Sequence, residues 1–234
     1  MSARIRGNTM KHFVKIAACF LLCVAMAQAQ SPTRAPKSVE AWNELKGEKF
    51  EALQLKGDAA RGAEAFQACQ GCHKRGATGS SNGAYPRLAG QHATVLIEQI
   101  TDIRSGRRTN PKMAPFADEH VLTTQEIADI AVYLQALPIQ YQIGDKGAGN
   151  DLERGKGLYV RDCAVCHGDR GQGHAQKFVP LIAGQHYGYV LRELAYIRDE
   201  KRGNANPDMV TVIHPYRNED LEVVADYISR LTLP

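Results

Sequence analysis

The sequence has no apolar stretch long enough to cross a membrane. Its longest apolar run, residues 16–27, has 12 residues, whereas a membrane-spanning helix needs ~20. The first 29 residues also lack any acidic side chain, and four basic residues precede the apolar run. Small residues at Ala25, Ala27 and Ala29 complete the pattern of a secretory signal peptide. We therefore predict a signal peptide over residues 1–29, cleaved after Ala27 or Ala29, and export to the periplasm.

Two details of this leader stay open. Met10 begins a shorter leader of the same form, so translation can start at Met1 or at Met10. Cys19 follows small residues, as in a lipoprotein leader, but it stands near the start of the apolar run, where a lipidation site should close it. This placement favours a cleaved leader over a lipid anchor.

Beyond the leader the chain lacks an excess of either charge. Four of its 29 Lys and Arg residues lie in the leader, so 25 remain against 25 Asp and Glu. A nucleic-acid-binding protein is expected to show a basic face or stripe, and this balance argues against nucleic acid as a partner. The composition of the whole chain, 44% hydrophobic and 23% charged, is that of an ordinary globular protein.

Cysteine and methionine are scarce after the leader, and the few that remain form a repeat. Of 6 Cys and 5 Met in the chain, four Cys and two Met lie beyond residue 29. A shift of about 94 residues superposes two Cys-x-x-Cys-His motifs, two Ala-Gly-Gln-His segments and two Asn-Pro-x-Met segments. The aligned sulfur and imidazole residues are Cys69, Cys72, His73 and Met113 in the first copy and Cys163, Cys166, His167 and Met209 in the second.

This duplication predicts two tandem domains, at residues 57–140 and 151–234, joined by a glycine-containing linker at residues 141–150. Residues 30–56 belong to neither copy and form an N-terminal extension. Part of the extension can form a helix that presents Trp42. We favour a strap packed on one domain over an element that docks a partner.

The fold class follows from hydrophobic periodicity. No segment shows the sustained alternation of a β-strand, whereas Leu96, Ile100 and Ile103 fall on one helical stripe that recurs in the second copy. Thr123 and Glu126 have the spacing of a capping box at the start of a further helix. The sequence therefore predicts an all-α fold.

The Cys-x-x-Cys-His motifs contain the residues best suited to bind a cofactor. Residues i, i+3 and i+4 of a helix share one face, so two sulfurs can bond the vinyl groups of a haem while the imidazole reaches its iron. This motif is the attachment signature of c-type haem. The predicted attachment residues are Cys69, Cys72, Cys163 and Cys166, with His73 and His167 as iron ligands.

Three other uses of these residues are weaker. A zinc site needs four converging ligands, and the two pairs are 94 residues apart. A thioredoxin-like redox pair is expected beside a βαβ unit. Two structural disulfides suit an exported protein, but they leave the histidine after each pair unexplained.

The sixth position on each iron decides between electron transfer and catalysis. Met113 and Met209 are the two methionines of the mature chain, one per copy. Each follows an Asn-Pro break that can hold an extended loop across the open haem face, so we predict that they ligate iron. His92 and His186 also repeat, but their position suits a surface or capping histidine better.

These residues resemble class I cytochromes c, and their tandem arrangement is similar to the dihaem cytochrome c4 family over about residues 57–234. The resemblance implies two class I cytochrome c domains, each wrapped around a covalently bound haem c with His/Met iron. It also implies that the Pro86 and Pro180 carbonyls accept the Nδ1 hydrogens of the histidine ligands. The extension at residues 30–56 departs from the short start that is usual in this family.

The predicted function is that of a periplasmic one-electron carrier, with no catalytic residue and no enzyme activity of its own. Its partners would be redox proteins: a quinol-oxidising complex or dehydrogenase as donor and a terminal oxidase or reductase as acceptor, with transient docking to membrane complexes. The first alternative is an electron-transfer subunit docked to one periplasmic oxidoreductase. A dihaem peroxidase or a thiosulfate-oxidising enzyme is less well supported, because it would need an open or unusual iron ligand.

Overall fold

The computed structural model describes residues 42–234, which belong to one compact unit. The predicted signal peptide and residues 30–41 of the extension lie outside the described residues. Within 42–234 the protein is helical, and an isolated β-bridge between His174 and Val179 is present without any strand. The prediction of an all-α fold is confirmed. In the same range, no helix is long and apolar enough to cross a membrane.

The helices follow the sequence repeat. The extension and first copy contain α1 (Gly47–Gln54), α2 (Ala59–Ala65), α3 (Gln70–His73), α4 (Ala93–Arg104), α5 (Ala114–Ala117) and α6 (Thr124–Ala136). The second copy contains α7 (Leu152–Leu158), α8 (Ala164–His167), α9 (Tyr187–Arg198), α10 (Pro207–Ile213) and α11 (Asn218–Arg230). Short 3-10 turns occur at Phe66–Cys69, Tyr141–Ile143 and Ala175–Lys177, and a π-helical turn at Tyr159–Cys163.

In each copy the helix before the Cys-x-x-Cys-His motif packs closely on the last helix. A Cβ on Gly62 of α2 would lie 2.1 Å from the carbonyl oxygen of Asp129 on α6, and one on Gly155 of α7 would lie 2.2 Å from that of Val223 on α11. Only glycine leaves room for this contact, because Cβ atoms do not approach backbone so closely. The two glycines therefore let the helices meet.

Aromatic pairs extend these two contacts. The rings of Phe66 and Tyr133 lie 5.8 Å apart, and those of Tyr159 and Tyr227 lie 5.5 Å apart. Both pairs are tilted and packed in the hydrophobic cores of their copies, a favourable arrangement for aromatic rings. The cysteine motifs are thereby fixed to the last helix of each copy.

The capping box predicted for α6 is confirmed. Thr123 Oγ1 accepts a hydrogen bond from the Glu126 amide, and the Glu126 carboxylate accepts one from the Thr123 amide. Backbone hydrogen bonding also keeps the pKa of Glu126 below its usual value. The counterpart helix α11 begins at Asn218.

The Ala-Gly-Gln-His segments join the two copies. The side-chain amide of Gln91 exchanges hydrogen bonds of 2.9 and 3.0 Å with the backbone of Leu181. Gln185, the equivalent residue of the second copy, exchanges two bonds of 2.9 Å with the backbone of Arg87. Arg87 and Leu181 are themselves equivalent, so the contact has approximate two-fold symmetry. We call these four residues the glutamine clasp.

His92 and His186 flank the clasp in the same symmetric way. Each precedes a helix, and its Nε2 donates to a carbonyl of the other copy, at Gln172 (2.8 Å) and Thr78 (2.7 Å) respectively. The Asp145 amide donates to Nδ1 of His186, which leaves its Nε2 as the protonated nitrogen. The sequence pointed to surface or capping residues, but both side chains contact the other copy, and His186 is buried.

Replacing Gln185 with Met is expected to destabilise the contact between the copies. The change leaves the buried amide and carbonyl of Arg87 without partners, and each unsatisfied group costs about 1–3 kcal/mol. Denaturant unfolding of the holoprotein should therefore show a loss of about 2–6 kcal/mol. The exposed Gln176→Met is the matched control and should unfold like the native protein; equal stability of both variants would contradict the clasp.

The N-terminal extension contacts both copies. Helix α1 packs on α4 and α6, and Glu48 pairs with Arg104 of the first copy. Trp42 Nε1 donates to the carbonyl of Asn204 in the second copy, at 2.9 Å. The described part of the extension, residues 42–56, therefore contacts both copies rather than one, because Asn204 lies beside α4. Trp42 precedes α1 and does not lie in the helix that the sequence had indicated.

Candidate functional site

Tight turns bring the Cys-x-x-Cys-His residues of the first copy together. The 3-10 turn Phe66–Cys69 runs directly into α3, which ends at His73 because Lys74 adopts a positive φ of 67°. Cys69, Cys72 and His73 all line one cavity, and His73 is buried. In the second copy the π-helical turn runs into α8, and Gly168 takes the positive φ.

The four cysteines within residues 42–234 are unpaired thiols, with no disulfide between them. Burial raises the pKa of the Cys69 thiol to about 11 and that of Cys163 to about 12. In this range no cluster of three or more His, Cys, Asp or Glu side chains is arranged to hold a metal ion, and no strands supply a βαβ surround. The described structure therefore supports neither zinc, disulfides nor a thioredoxin-like pair.

Each motif histidine is oriented by a proline carbonyl. Nδ1 of His73 lies 3.1 Å from the Pro86 oxygen, and Nδ1 of His167 lies 3.1 Å from the Pro180 oxygen. Since a carbonyl can only accept, Nδ1 carries the hydrogen and Nε2 keeps its lone pair for a metal. Burial also lowers the pKa of both imidazoles, which favours the neutral form that ligates iron.

Two equivalent glycines let the proline loops approach the histidines. Gly79 and Gly173 have φ values of +75° and +71°, and their backbones pack directly on the proline carbonyls. An added Cβ would lie 2.5 Å from the Pro86 carbonyl carbon in the first copy and 2.6 Å from that of Pro180 in the second. Glycine is therefore required here both for its φ and for its size.

The first copy encloses a cavity of about 840 Å³. Cys69, Cys72 and His73 contribute to its wall, as does Met113. Much of the remaining lining is apolar: Phe66, Leu96, Ile100, Ile103, Phe116, Leu122, Ile130 and Leu134. An apolar cavity bordered by two thiols, an imidazole and a thioether matches the surfaces and donors of a c-type haem.

One part of the cavity wall is polar and is shared between the copies. Arg108 and Arg202 both bond the carboxylate of Glu193, at 3.1 Å each. Each arginine also bonds Gln99 Oε1, at 2.8 and 2.9 Å. Two partly buried guanidinium groups bond one carboxylate here, and this excess of cations suits the acidic substituents of a haem.

The methionines occupy helical positions rather than the extended loops that the sequence indicated. Met113 lies in the turn directly before α5, at its N-cap position, whereas Met209 lies within α10, a helix that Asn206 begins by accepting a hydrogen bond from the Asp208 amide at 2.8 Å. Proline at the first turn favours such short helices. Both methionines are partly buried, and each packs on the same core cluster as the first cysteine of its copy.

The sequence did not reveal the roles of several other residues around the sites. The glutamine clasp and its two histidines repeat between the copies, and that repetition was the available signal. In the polar wall, Arg108 and Arg202 are equivalent at the 94-residue shift, as are Gln99 and Glu193, but the shift does not show that the four side chains meet. Their convergence depends on how the two copies pack.

Family models match both copies. Residues 152–232 match the model described as cytochrome c, and residues 57–134 match the model described as subunit III of cbb3-type cytochrome c oxidase. Both are cytochrome c domain models, so the fold consists of two tandem cytochrome c domains. This pair implies two covalently bound haem c groups.

Relatives resemble the chain over most of its length. Cytochrome c4 of Pseudomonas aeruginosa is 32% identical over 183 residues, 75% of this chain and 89% of the relative. A thiosulfate dehydrogenase electron acceptor of Stutzerimonas stutzeri is 32% identical over 177 residues, 71% of this chain and 80% of the relative.

A solved structure agrees with the fold. The crystal structure of reduced recombinant cytochrome c4 from Pseudomonas stutzeri matches with a TM-score of 0.68 and 25% identity, over 76% of this chain and all of the other. Sequence identity above 30% across most of both chains, together with this agreement in fold, shows that the protein belongs to the cytochrome c4 family.

Proposed function

We propose that this protein is a periplasmic dihaem one-electron carrier between a respiratory donor and a terminal oxidase or reductase. The observation that carries the proposal is that each copy has an imidazole oriented by a carbonyl and a partly buried methionine that packs on the same core cluster as the first cysteine. In the first copy His73 and Met113 also line one cavity. Two six-coordinate irons would exchange electrons without binding substrate, which is the behaviour of a carrier rather than an enzyme.

The cysteines would hold the two haems covalently. Cys69 with Cys72, and Cys163 with Cys166, would form thioethers to the haem vinyl groups. When bound, each haem supplies a reversible Fe(III)/Fe(II) couple. The apolar walls around the first site exclude water and thereby disfavour the more highly charged oxidised state.

The iron ligands would be His73 with Met113 in the first domain and His167 with Met209 in the second. The Pro86 and Pro180 carbonyls hold the imidazoles in one tautomer and raise their basicity. Methionine as the second protein ligand would favour a higher potential and would fill the position that a peroxidase or oxygenase leaves open. A catalytic role would therefore require a ligand to leave.

The packing between the copies supports electron exchange within the molecule. The glutamine clasp, the two flanking histidines and the shared polar wall bond the copies directly, and the extension adds contacts to both. Such a contact fixes the spacing of two redox centres, so an electron received at one site can pass to the other. The domain boundaries at residues 57–140 and 151–234 are part of this proposal.

Export is proposed from the leader pattern over residues 1–29, and it would place the protein with quinol-oxidising complexes or periplasmic dehydrogenases. A second candidate is an electron-accepting subunit dedicated to one oxidoreductase. The observation that favours it is the relative named as a thiosulfate dehydrogenase electron acceptor, together with an extension that the family resemblance does not cover.

A spectroelectrochemical titration of the purified holoprotein tests the carrier. We expect two reversible one-electron waves with low-spin spectra, and the weak near-infrared Met-to-iron absorption in the oxidised state. A high-spin haem in the resting protein, or peroxide turnover that disappears in Met113→Ala, would contradict the proposal. Stopped-flow reduction by thiosulfate dehydrogenase, compared with a quinol-oxidising complex, separates the two candidate roles.

A further inference from the structure

A buried acid and a buried amine face each other beside the first haem site. Glu98 on α4 and Lys49 on α1 are 3% and 2% exposed. Glu98 Oε1 and Lys49 Nζ lie 3.8 Å apart, and neither atom has a hydrogen-bond partner among the described residues. Burial of incompletely paired charges is costly, and neither side chain has a part in holding the haem.

Several other charges act on Glu98. Asp102 lies one turn along α4, while Arg107 and Arg202 approach from the segments after α4 and α9. The turn Ala175–Lys177 also packs on α4, but its lysine is exposed.

Burial and repulsion from Asp102 both raise the pKa of Glu98, and they outweigh the attraction of the nearby cations. The pKa of Glu98 is therefore raised to about 7. Burial likewise lowers the pKa of Lys49. Glu98 can therefore exchange a proton near neutral pH.

A polar connection runs from Glu98 to the cavity wall. The side-chain amide of Gln99 donates to Glu98 Oε2 at 3.3 Å. The same Gln99 accepts from Arg108 and Arg202, and these three residues line the cavity. Glu98 thus lies one hydrogen bond away from the groups that border the first haem site.

We propose that Glu98 is a redox-linked proton site: its carboxylate binds one proton from solvent when the first haem gains an electron, and releases it when the electron leaves. The proposal rests on the carrier function. One electron from the redox donor converts Fe(III) to Fe(II), and one proton from water converts the Glu98 carboxylate to the acid. The net charge of the buried region is therefore the same before and after reduction.

Electrostatic repulsion couples reduction of the haem to protonation of Glu98. An added electron makes the haem site more negative, and in a poorly solvated interior this change is weakly screened at a nearby carboxylate. The reduced state therefore favours the protonated acid. The second copy has Arg192 at the equivalent position and so lacks this group, and Lys49 comes from the extension rather than from either copy.

The potentials of the intact dihaem protein, measured between about pH 5 and 9, test the proposal. As pH rises through neutrality Glu98 ionises, which stabilises Fe(III), so we expect one of the two waves to fall in potential. Glu98→Gln should keep both waves but remove this dependence. The matched control Glu64→Gln, an exposed acid of the first copy, should keep it.

Two further measurements make the outcome decisive even if Glu98→Gln folds poorly. Lys49→Met removes a charge that lowers the pKa of Glu98, so the pH-dependent segment should move to higher pH. A pH indicator should record proton uptake when the native protein is reduced near pH 7. Absence of reversible waves would overturn the carrier function, whereas waves that are independent of pH, or a dependence that survives in Glu98→Gln, would overturn the proton site alone.

Discussion

Met113→Ala is expected to lower the potential of one haem by about 0.1 V or more, within the ~0.8 V range that axial ligands span. The thioether stabilises Fe(II), and its loss opens the sixth position to water. The oxidised variant should lose about half of the near-infrared Met-to-iron absorption and gain a high-spin spectrum at one haem. Met209→Ala should give the same changes at the other haem.

The controls separate ligation from packing. Glu119→Ala changes an exposed side chain six residues after Met113 in the sequence and should leave both spectra unchanged. His92→Ala removes a competing imidazole and should also preserve the Met-to-iron absorption, although it weakens a contact between the copies. Full absorption in Met113→Ala would show that Met113 is not a ligand, and absence of the band in the native protein would contradict methionine ligation altogether.

Gly155→Ala should destabilise the holoprotein by about 2–3 kcal/mol, the usual cost of overpacking a tight contact. Its new methyl group would lie 2.2 Å from the Val223 carbonyl oxygen and push α7 away from α11. Gly62→Ala should act similarly on α2 and α6, where the corresponding distance is 2.1 Å. Urea unfolding followed by helical circular dichroism measures both effects.

A second glycine of α7 provides the matched control. Gly157 is exposed, and a Cβ there would have no neighbour within 4 Å. Gly157→Ala should therefore stabilise the protein by up to about 1 kcal/mol through helix propensity alone. Equal effects at positions 155 and 157 would show that helix propensity, rather than the close approach of α7 to α11, determines the outcome.

Contacts within one copy could be predicted from the sequence, because aligning the two copies shows which residues occupy equivalent positions. The same shift that aligned the cysteines also aligned Pro86 with Pro180, and the structure places both carbonyls 3.1 Å from an imidazole. The capping box of α6 followed from spacing within one turn of helix. These features depend on neighbours in sequence or on a repeated pattern.

Features that depend on packing between distant segments were not predictable. From the sequence, Glu98 is expected to be an ordinary charged residue of an amphipathic helix. In the structure α1 packs against this helix and buries Glu98 beside Lys49. From the sequence, Gln185 is expected to be a polar residue at the start of a helix, yet it is 5% exposed because Arg87 covers it. Met209 was expected in a loop because its turn of helix is short and begins with proline.

The glutamine clasp has the symmetry of an isologous dimer, in which equivalent residues of two subunits exchange equivalent bonds. Here both halves belong to one chain, so their association is intramolecular. Because the connecting segment joins the two halves, their association depends on a fixed effective concentration, in the millimolar range for short linkers, and not on the protein concentration. The two redox sites therefore remain paired at any dilution, as they would not in a dimer of separate single-haem chains.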